Sequence, residues 1–145
     1  MSPISGLSQS DAAVTLAIDV ADPNLILNEA TIVSFVFSDV VFDFSVGDVT
    51  LYSSNGSVAG VLSGLTSTGP TTYQATFTPS LNFEGTAQLY VPPGAYTLGG
   101  LDPGAEAYST IISIDTKIPT ATIYVNATNI GYRETVNLVV TFSEK

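Results

Sequence analysis

Hydrophobic and polar residues alternate with a period of two along most of the chain, between short stretches rich in Gly, Pro, Asn and Ser. This period is typical of strands with one buried and one exposed face. The clearest run, residues 72–78, places Tyr73, Ala75 and Phe77 on one face and polar side chains on the other. No stretch has the 3.6-residue apolar stripe of a helix, so we predict a chain built from strands.

Seven such runs precede residue 118, at about 15–20, 29–38, 49–51, 58–65, 72–78, 87–91 and 108–115. Seven short strands separated by turn residues favour an antiparallel, immunoglobulin-like β-sandwich; an irregular barrel is the alternative. The side chains expected to point inward, besides those of the run just described, are Leu16, Ile18, Val20, Val33, Phe35, Phe37, Val49, Leu51, Ala87, Leu89, Val91, Thr110, Ile112 and Ile114.

The sequence begins to repeat after the seventh run. Residues 15–39 align without gaps with residues 120–144, an offset of 105 positions, and the closing Phe-Ser-acid of each segment coincides. A period of this length suits whole domains joined in series. We therefore predict an N-terminal segment or linker at 1–12, an Ig-like repeat at 13–117, and the first two strands of a second repeat at 118–145.

The last two predicted strands lack the rest of their sandwich. A lone two-stranded pair is marginal in water, and its edge carries neither the Lys nor the Pro that usually protects edges. Two interpretations stay open: a piece of a longer array, or a protomer that completes another copy by strand complementation into a head-to-tail filament. The residues expected to form this assembly edge are Val136, Leu138, Val140 and Phe142.

Composition narrows the range of partners. Only 11% of residues are charged, against about 25% in ordinary domains, and 13 acids outnumber three bases for a net charge of −10. Three bases cannot form the basic patch that nucleic acids or anionic membranes require. No apolar run approaches the ~18 residues of a membrane helix, and no signal peptide is visible. We expect no nucleic-acid partner, no membrane insertion, and a mature chain or an excised piece.

His and Cys are both absent, which excludes His-based triads, thiol nucleophiles, disulfides and the usual zinc sites. Carboxylates remain as the available reactive groups. A glycosidase-like pair would have to come from Asp39, Asp43 and Asp48, and nothing in the sequence marks a substrate groove beside them. We predict that the protein is not an enzyme and has no small-molecule substrate.

Four motifs together resemble a known family. They are Phe37-Ser38-Asp39-Val40, Asn55-Gly56, the run at 72–79, and Ile114-Asp115-Thr116-Lys117-Ile118-Pro119-Thr120. As a set they resemble the bacterial Ig-like tandem repeats of giant surface adhesins, of the biofilm-associated and RTX-adhesin types. The resemblance spans about residues 14–120 and departs at 98–104, where many such repeats have a short Gly-Asn turn.

The resemblance implies an extracellular, cell-surface module that gives an adhesin or fibre its reach and stiffness. Its partners would be neighbouring repeats or copies of itself, joined head to tail in cell adhesion or biofilm formation. Such repeats often hold calcium where two modules meet, and the acids of this chain are expected in loops at the two ends of the sandwich. The calcium candidates are Asp22, Glu84, Asp115 and Glu144 at the module boundary, and Asp39, Asp48 and Asp102 at the other end.

Two further features of the sequence, its sequons and its tyrosines, give weaker predictions. The sequons at Asn55 and Asn126 invite glycosylation, although chance accounts for about two in a chain so rich in Ser and Thr. The seven tyrosines are expected as core and strand residues rather than as a sugar-binding platform.

Overall fold

The computed structural model describes residues 13–99 and 102–145, with the backbone alone at Asp102; the predicted segment 1–12 lies outside the described residues. A short 3-10 turn, Val46–Asp48, precedes the fourth strand. No helix of the described part is long and apolar enough to cross a membrane. The strands are β1 (Leu16–Val20), β2 (Asn24–Ile26), β3 (Thr31–Phe37), β4 (Thr50–Ser53), β5 (Gly60–Gly69), β6 (Thr72–Pro79), β7 (Glu84–Val91), β8 (Thr97–Leu98), β9 (Asp102–Pro103), β10 (Ala107–Tyr108), β11 (Ile112–Asp115), β12 (Ala121–Val125) and β13 (Leu138–Phe142).

Strands β1 to β7, β10 and β11 form the predicted immunoglobulin-like sandwich, and β8 and β9 pair with each other in a separate two-stranded sheet. One sheet has the order β1-β3-β6-β5, with antiparallel neighbours. In the second, β4 pairs with one edge of β7, and β10 and β11 pair with the other. Strand β2 lies parallel to β11 at the outer edge of this sheet. Two facing sheets with this strand order are the arrangement that defines the Ig-like fold.

The predicted first strand at 15–20 corresponds to β1, and β2 is a further short strand, in the other sheet, that the sequence pattern does not predict. Residues of β1 pair with β3, and after Pro23 the chain crosses to pair with β11 as β2. The amide of Ser113 donates to the carbonyl oxygen of Pro23 at 2.7 Å. Proline, which lacks an N–H, stands at the crossing and still accepts a hydrogen bond there.

The last strand of the sandwich is broken by a β-bulge. Thr110, predicted to point inward, is exposed, and Ser109 is buried in its place. The amide of Ser109 donates to the carbonyl of Leu89, and its hydroxyl accepts from the Leu89 amide at 3.0 Å. Thr110 and Ile111 consequently both point outward, and the extra residue restores the inward direction of the next strand.

The core contains a cluster of aromatic rings in edge-to-face contact. Phe37 and Phe44 are at its centre, with ring centroids 5.0 Å apart, and both contact Tyr73 and Tyr96. The fully buried Tyr96 hydroxyl lies 2.8 Å from the carbonyl oxygen of Ala105 and 3.1 Å from that of Val14. Burial raises the pKa of this hydroxyl, which keeps it protonated as a donor.

The predicted inward residues of β1, β3, β7 and β11 are buried, and those of β6 are buried except for the half-buried Tyr73. Val49 and Leu51 are half-buried beside the core. Several strand boundaries differ from prediction: β3 begins at Thr31 rather than at 29, β4 spans Thr50–Ser53 rather than 49–51, β5 spans Gly60–Gly69 rather than 58–65, and β7 begins at Glu84 rather than at 87. The alternation predicts burial more accurately than it predicts strand ends.

Phe77 gives the simplest test of this core, because its side chain is fully buried between the sheets. Replacement of Phe77 by Ala should lower the free energy of unfolding by about 3–5 kcal/mol, through lost burial and the cavity that remains. The matched control is Phe42→Ala, at a ring that is 80% exposed, which should change stability by no more than about 0.5 kcal/mol. Equal effects in urea denaturation would show that the core is wrongly assigned.

Candidate functional site

The two segments that resemble each other in sequence also share their backbone pairing. Leu16 lies opposite Phe37 and Val20 opposite Val33 in the β1–β3 pair. At the same offset of 105, Ala121 lies opposite Phe142 and Val125 opposite Leu138 in the β12–β13 pair. The three pairs between these ends also correspond position by position. The register of the first strand pair therefore recurs in the second.

The hydrogen bonds that close each strand pair recur as well. The Thr15 amide donates to the Ser38 hydroxyl and the Ser38 amide to the Thr15 carbonyl, both at 2.9 Å. Thr120 and Ser143 make the same two bonds, again at 2.9 Å each. Side-chain contacts as well as backbone pairing therefore repeat with the same period.

The turn between the paired strands repeats its conformation too. The residue before the corresponding Glu of each turn is left-handed, with φ of 68° at Asn28 and 66° at Arg133. In each turn the Glu carboxylate accepts a hydrogen bond from an amide three residues earlier, at 3.0 Å for Glu29 and 2.7 Å for Glu134. Arg133 occupies this conformation although asparagine suits it better.

The two strand pairs differ in what covers them. Phe37 is buried in the sandwich core, whereas its counterpart Phe142 is 65% exposed. Leu138 and Val140 are exposed in the same way, and Val136 is half-buried just before β13 begins. No other described strand pairs with β12 or β13. The residues predicted as an assembly edge therefore present an uncovered apolar face.

The connection between the segments is fixed at its first residue. Thr116 is buried, and its hydroxyl accepts from the Phe83 amide at 3.0 Å and donates to the Ser80 carbonyl. Its amide donates to the Phe83 carbonyl at 2.9 Å. Only residues 117–119 separate this anchor from Thr120, which is bonded to Ser143. The connection therefore leaves little free chain.

Two of the predicted calcium ligands lie side by side at this boundary. Glu84 and Asp115 are directly opposite each other in the β7–β11 pair. Lys117 interacts with both, because its Nζ lies 3.2 Å from a Glu84 oxygen and its amide 3.3 Å from an Asp115 oxygen. The Lys117–Glu84 pair is exposed, so it stabilises the fold by about 0–1 kcal/mol at most. The positively charged side chain of Lys117 thus offsets part of the repulsion between the Glu84 and Asp115 carboxylates.

The other two boundary candidates are not joined to this pair. Asp22 accepts a hydrogen bond from the Asn24 amide at 2.9 Å, which forms an Asx turn. One carboxylate oxygen of Glu144 is buried and has no hydrogen-bond partner within the described residues. The structure therefore brings together two of the four.

At the opposite end, the candidate acids have local partners. Asp39 accepts from the Val40 amide at 2.7 Å, and Asp48 accepts from the amide and hydroxyl of Ser45 in a capping box. The structure describes the backbone of Asp102 but not its side chain. Within the described part of the chain, no three acidic side chains converge as metal ligands. Calcium binding stays a prediction, and it would need ligands from a neighbouring module.

The sequence did not reveal the most tightly bound carboxylate. Asp43 accepts from the amide of Thr97 at 3.0 Å and from its hydroxyl at 2.6 Å, across 54 positions of sequence. These bonds, the hydroxyl first, lower the pKa of Asp43 below its usual value. This pairing links the loop after β3 to β8. No local sequence pattern signals so distant a pair.

Both sequon asparagines take part in local structure. The Asn55 side-chain oxygen accepts from the Ser57 amide at 2.9 Å, and its nitrogen lies 3.3 Å from the Glu84 carbonyl oxygen. The Asn126 side chain accepts from the Asn137 amide at 3.0 Å. Both residues are exposed. Their glycosylation stays a prediction.

The sequence matches a known family of protein domains. The model of the bacterial Ig-like domain matches residues 10–100, more than half of the chain. The chain belongs to the bacterial Ig-like domain family. None of the curated proteins matches the sequence.

A solved structure supports the same fold for the Ig-like domain. The adhesin InvE of Yersinia pseudotuberculosis superimposes with a TM-score of 0.51 over 92% of this chain, at 18% sequence identity. This chain covers 35% of the adhesin chain. At this identity, the likeness shows the fold alone.

Thr116 offers a direct test of how the boundary is held. Thr116→Val keeps the shape of the buried side chain but leaves the Phe83 amide and the Ser80 carbonyl without their hydroxyl partner. We expect a loss of about 1–3 kcal/mol in the free energy of unfolding. The control Thr116→Ser keeps the hydroxyl and removes one methyl, which costs about 1 kcal/mol. If the Val variant is as stable as the wild type in chemical denaturation, the anchor is unimportant.

Proposed function

We infer that this Ig-like domain is a non-enzymatic structural spacer in a tandem array, within an extracellular adhesin or fibre at the cell surface. Its role would be to provide reach and stiffness. The family membership and the shared fold with an adhesin support this function.

The observation that carries the proposal is the recurrence, 105 positions later, of the β1–β3 register and its closing hydrogen bonds. The β12–β13 pair has the same requirement as the β1–β3 pair, because the apolar face of each must be covered by the remaining strands of a sandwich. In the first Ig-like unit, β6 continues the sheet beside β3, and the second sheet covers the apolar face. We propose that following strands of a second repeat do the same for β12 and β13.

Stiffness follows from the short connection. Thr116 is anchored in the first repeat, and Thr120 is hydrogen-bonded within the second segment. Of the three residues between them, Pro119 has its φ fixed by its ring. So short a connection restricts the angles between neighbouring modules, whereas a long Gly/Ser-rich linker would leave them free.

The alternative, a filament built by strand complementation, meets an obstacle. An incoming β12–β13 pair would need a sandwich that lacks its own first two strands. In this chain those places are occupied by β1 and β3, in full register. Complementation therefore requires these strands to be displaced, which is why we favour the array.

A chain with two complete repeats tests the proposal. Residues 120–145 are replaced by a copy of residues 15–119, so that each apolar face can be covered. We expect a monomer whose maximum dimension in small-angle X-ray scattering is about twice that of residues 1–119. Two modules packed side by side would contradict the spacer function.

Two controls accompany this measurement. Replacing Ile118 and Pro119 by a Gly-Ser linker of eight residues should broaden the distance distribution without unfolding either module. The unaltered 145-residue chain should remain monomeric. A polymer that disappears when residues 120–145 are removed would instead support the filament.

We also propose that calcium binds where two complete repeats meet. The facing carboxylates of Glu84 and Asp115 and the unpartnered oxygen of Glu144 supply oxygen ligands of the kind that calcium prefers. A chain that keeps residues 1–145, and with them Glu144, and continues after Lys145 with a copy of residues 41–117 should then melt at a higher temperature in calcium than in chelator, because the ion binds the folded state. Asp115→Asn should reduce this difference. Identical melting curves in calcium and chelator would exclude the site.

A further inference from the structure

Three tyrosines form a row on the outer face of the second sheet. Tyr52 of β4, Tyr90 of β7 and Tyr108 of β10 lie on adjacent strands, with ring centroids 5.7 Å and 4.4 Å apart. Tyr52 and Tyr108 are each about half exposed. The Tyr90 hydroxyl donates to Glu106 at 3.0 Å, and desolvation, followed by the Glu106 carboxylate, raises its pKa to about 12. These tyrosines are strand residues, as predicted, but they point to solvent.

The β-bulge of the last strand gives this face a depression. Because the extra residue turns Ile111 outward, its side chain is 61% exposed and stands across β7 from Tyr52. The space between them has a volume of about 210 Å³. Besides Tyr52 and Ile111, it is lined by Ser53, Ser54, Thr86, Ala87 and Gln88.

A second depression adjoins the first. Its volume is about 410 Å³, and it shares Tyr52 and Ser53 with the first. The rest of its lining is Leu51, Gly56, Ser57, Val58, Ala59 and Gly60. Because Tyr52 and Ser53 line both, we call the two depressions together the groove. A groove of this form suits a chain of units better than a single small molecule.

The lining has a consistent chemistry. It combines an aromatic ring and aliphatic side chains with hydroxyls and one amide, and it includes no charged side chain. The Gln88 amide nitrogen donates to the Ser109 carbonyl at 2.8 Å, which fixes the side chain on the floor of the groove. Aromatic rings pack against apolar C–H surfaces, and hydroxyls and amides exchange hydrogen bonds with polar groups. A pyranose sugar presents both kinds of surface.

The charge of the molecule narrows the choice of ligand. A net charge of −10 opposes an anionic polysaccharide and a second copy of this chain alike. A stable protein interface also needs about 1,000 Å² or more of buried surface, which is large for this groove. We propose that the groove across Tyr52 binds a neutral polysaccharide. This inference does not depend on the tandem array.

The test is a titration of the full 145-residue chain with four hexasaccharides, followed by backbone amide NMR. Cellohexaose, maltohexaose and mannohexaose are the neutral probes, and hexagalacturonate is the anionic control. We expect at least one neutral probe to shift the amides of residues 51–60, 86–88 and 111, and hexagalacturonate to shift none. Tyr52→Ala should weaken that binding about tenfold, equivalent to about 1.4 kcal/mol, while Tyr52→Phe keeps the ring and most of the affinity.

Tyr132→Ala is the matched control, because Tyr132 is 90% exposed and does not line the groove. It should leave the affinity unchanged, and thermal melts should show that every variant is folded. No shift with any neutral probe would overturn the proposal, as would equal weakening by Tyr52→Ala and Tyr132→Ala. Self-association of the chain that Tyr52→Ala abolishes, without sugar binding, would make this face a protein interface instead.

Discussion

The apolar face of a strand pair has to be covered, and this requirement organises the whole molecule. In the sandwich, β1 and β3 bury Leu16, Ile18, Val33, Phe35 and Phe37 against the facing sheet, and β6 continues their own sheet beside β3. A two-stranded pair cannot provide such cover for itself. The same pair occurs again in β12 and β13 with the same register, and there the equivalent side chains face solvent. Within the described residues, the β12–β13 pair therefore lacks the cover that the β1–β3 pair has.

Several contacts around this core hold distant parts of the chain together. The buried Tyr96 hydroxyl bridges the segment before β1 and the segment before β10, through Val14 and Ala105. Gly104 lies so close to the Tyr96 ring that a Cβ there would be 2.2 Å from a ring carbon. Asp43 and Thr97 connect the loop after β3 to strand β8. At the other end, Thr116 fixes the point from which the next segment departs.

The sequence predicts much of the fold, because alternation with a period of two reports burial directly. It predicts the buried faces of β1, β3 and β7, and it locates the repeat through the Phe-Ser-acid that closes each pair. It fails where pairing is not local. One extra residue at the bulge of Ser109 to Ile111 reverses the alternation, and neither that insertion nor the crossing after Pro23 has a marker in the sequence.

The candidate sites are predicted less well, for the same physical reason. The order of the strands predicts that Glu84 and Asp115 lie in loops at the same end of the sandwich; in the structure they are terminal residues of β7 and β11 and lie opposite each other. The pairing of Asp43 with Thr97 and the burial of one Glu144 oxygen depend on side-chain directions that alternation does not report. The exposed tyrosine row depends on three strands lying side by side, and on a bulge that turns Ile111 outward.

Amide hydrogen exchange tests the central claim, which is that β12 and β13 require the rest of a sandwich. The comparison is between the 145-residue chain and a chain extended after Lys145 by a copy of residues 41–117. The account predicts that Val140 exchanges quickly in the shorter chain although Phe35, its counterpart, is protected, and that extension slows Val140 towards the rate of Phe35. Strong protection of Val140 in the shorter chain, or rapid exchange that persists after extension, would contradict it.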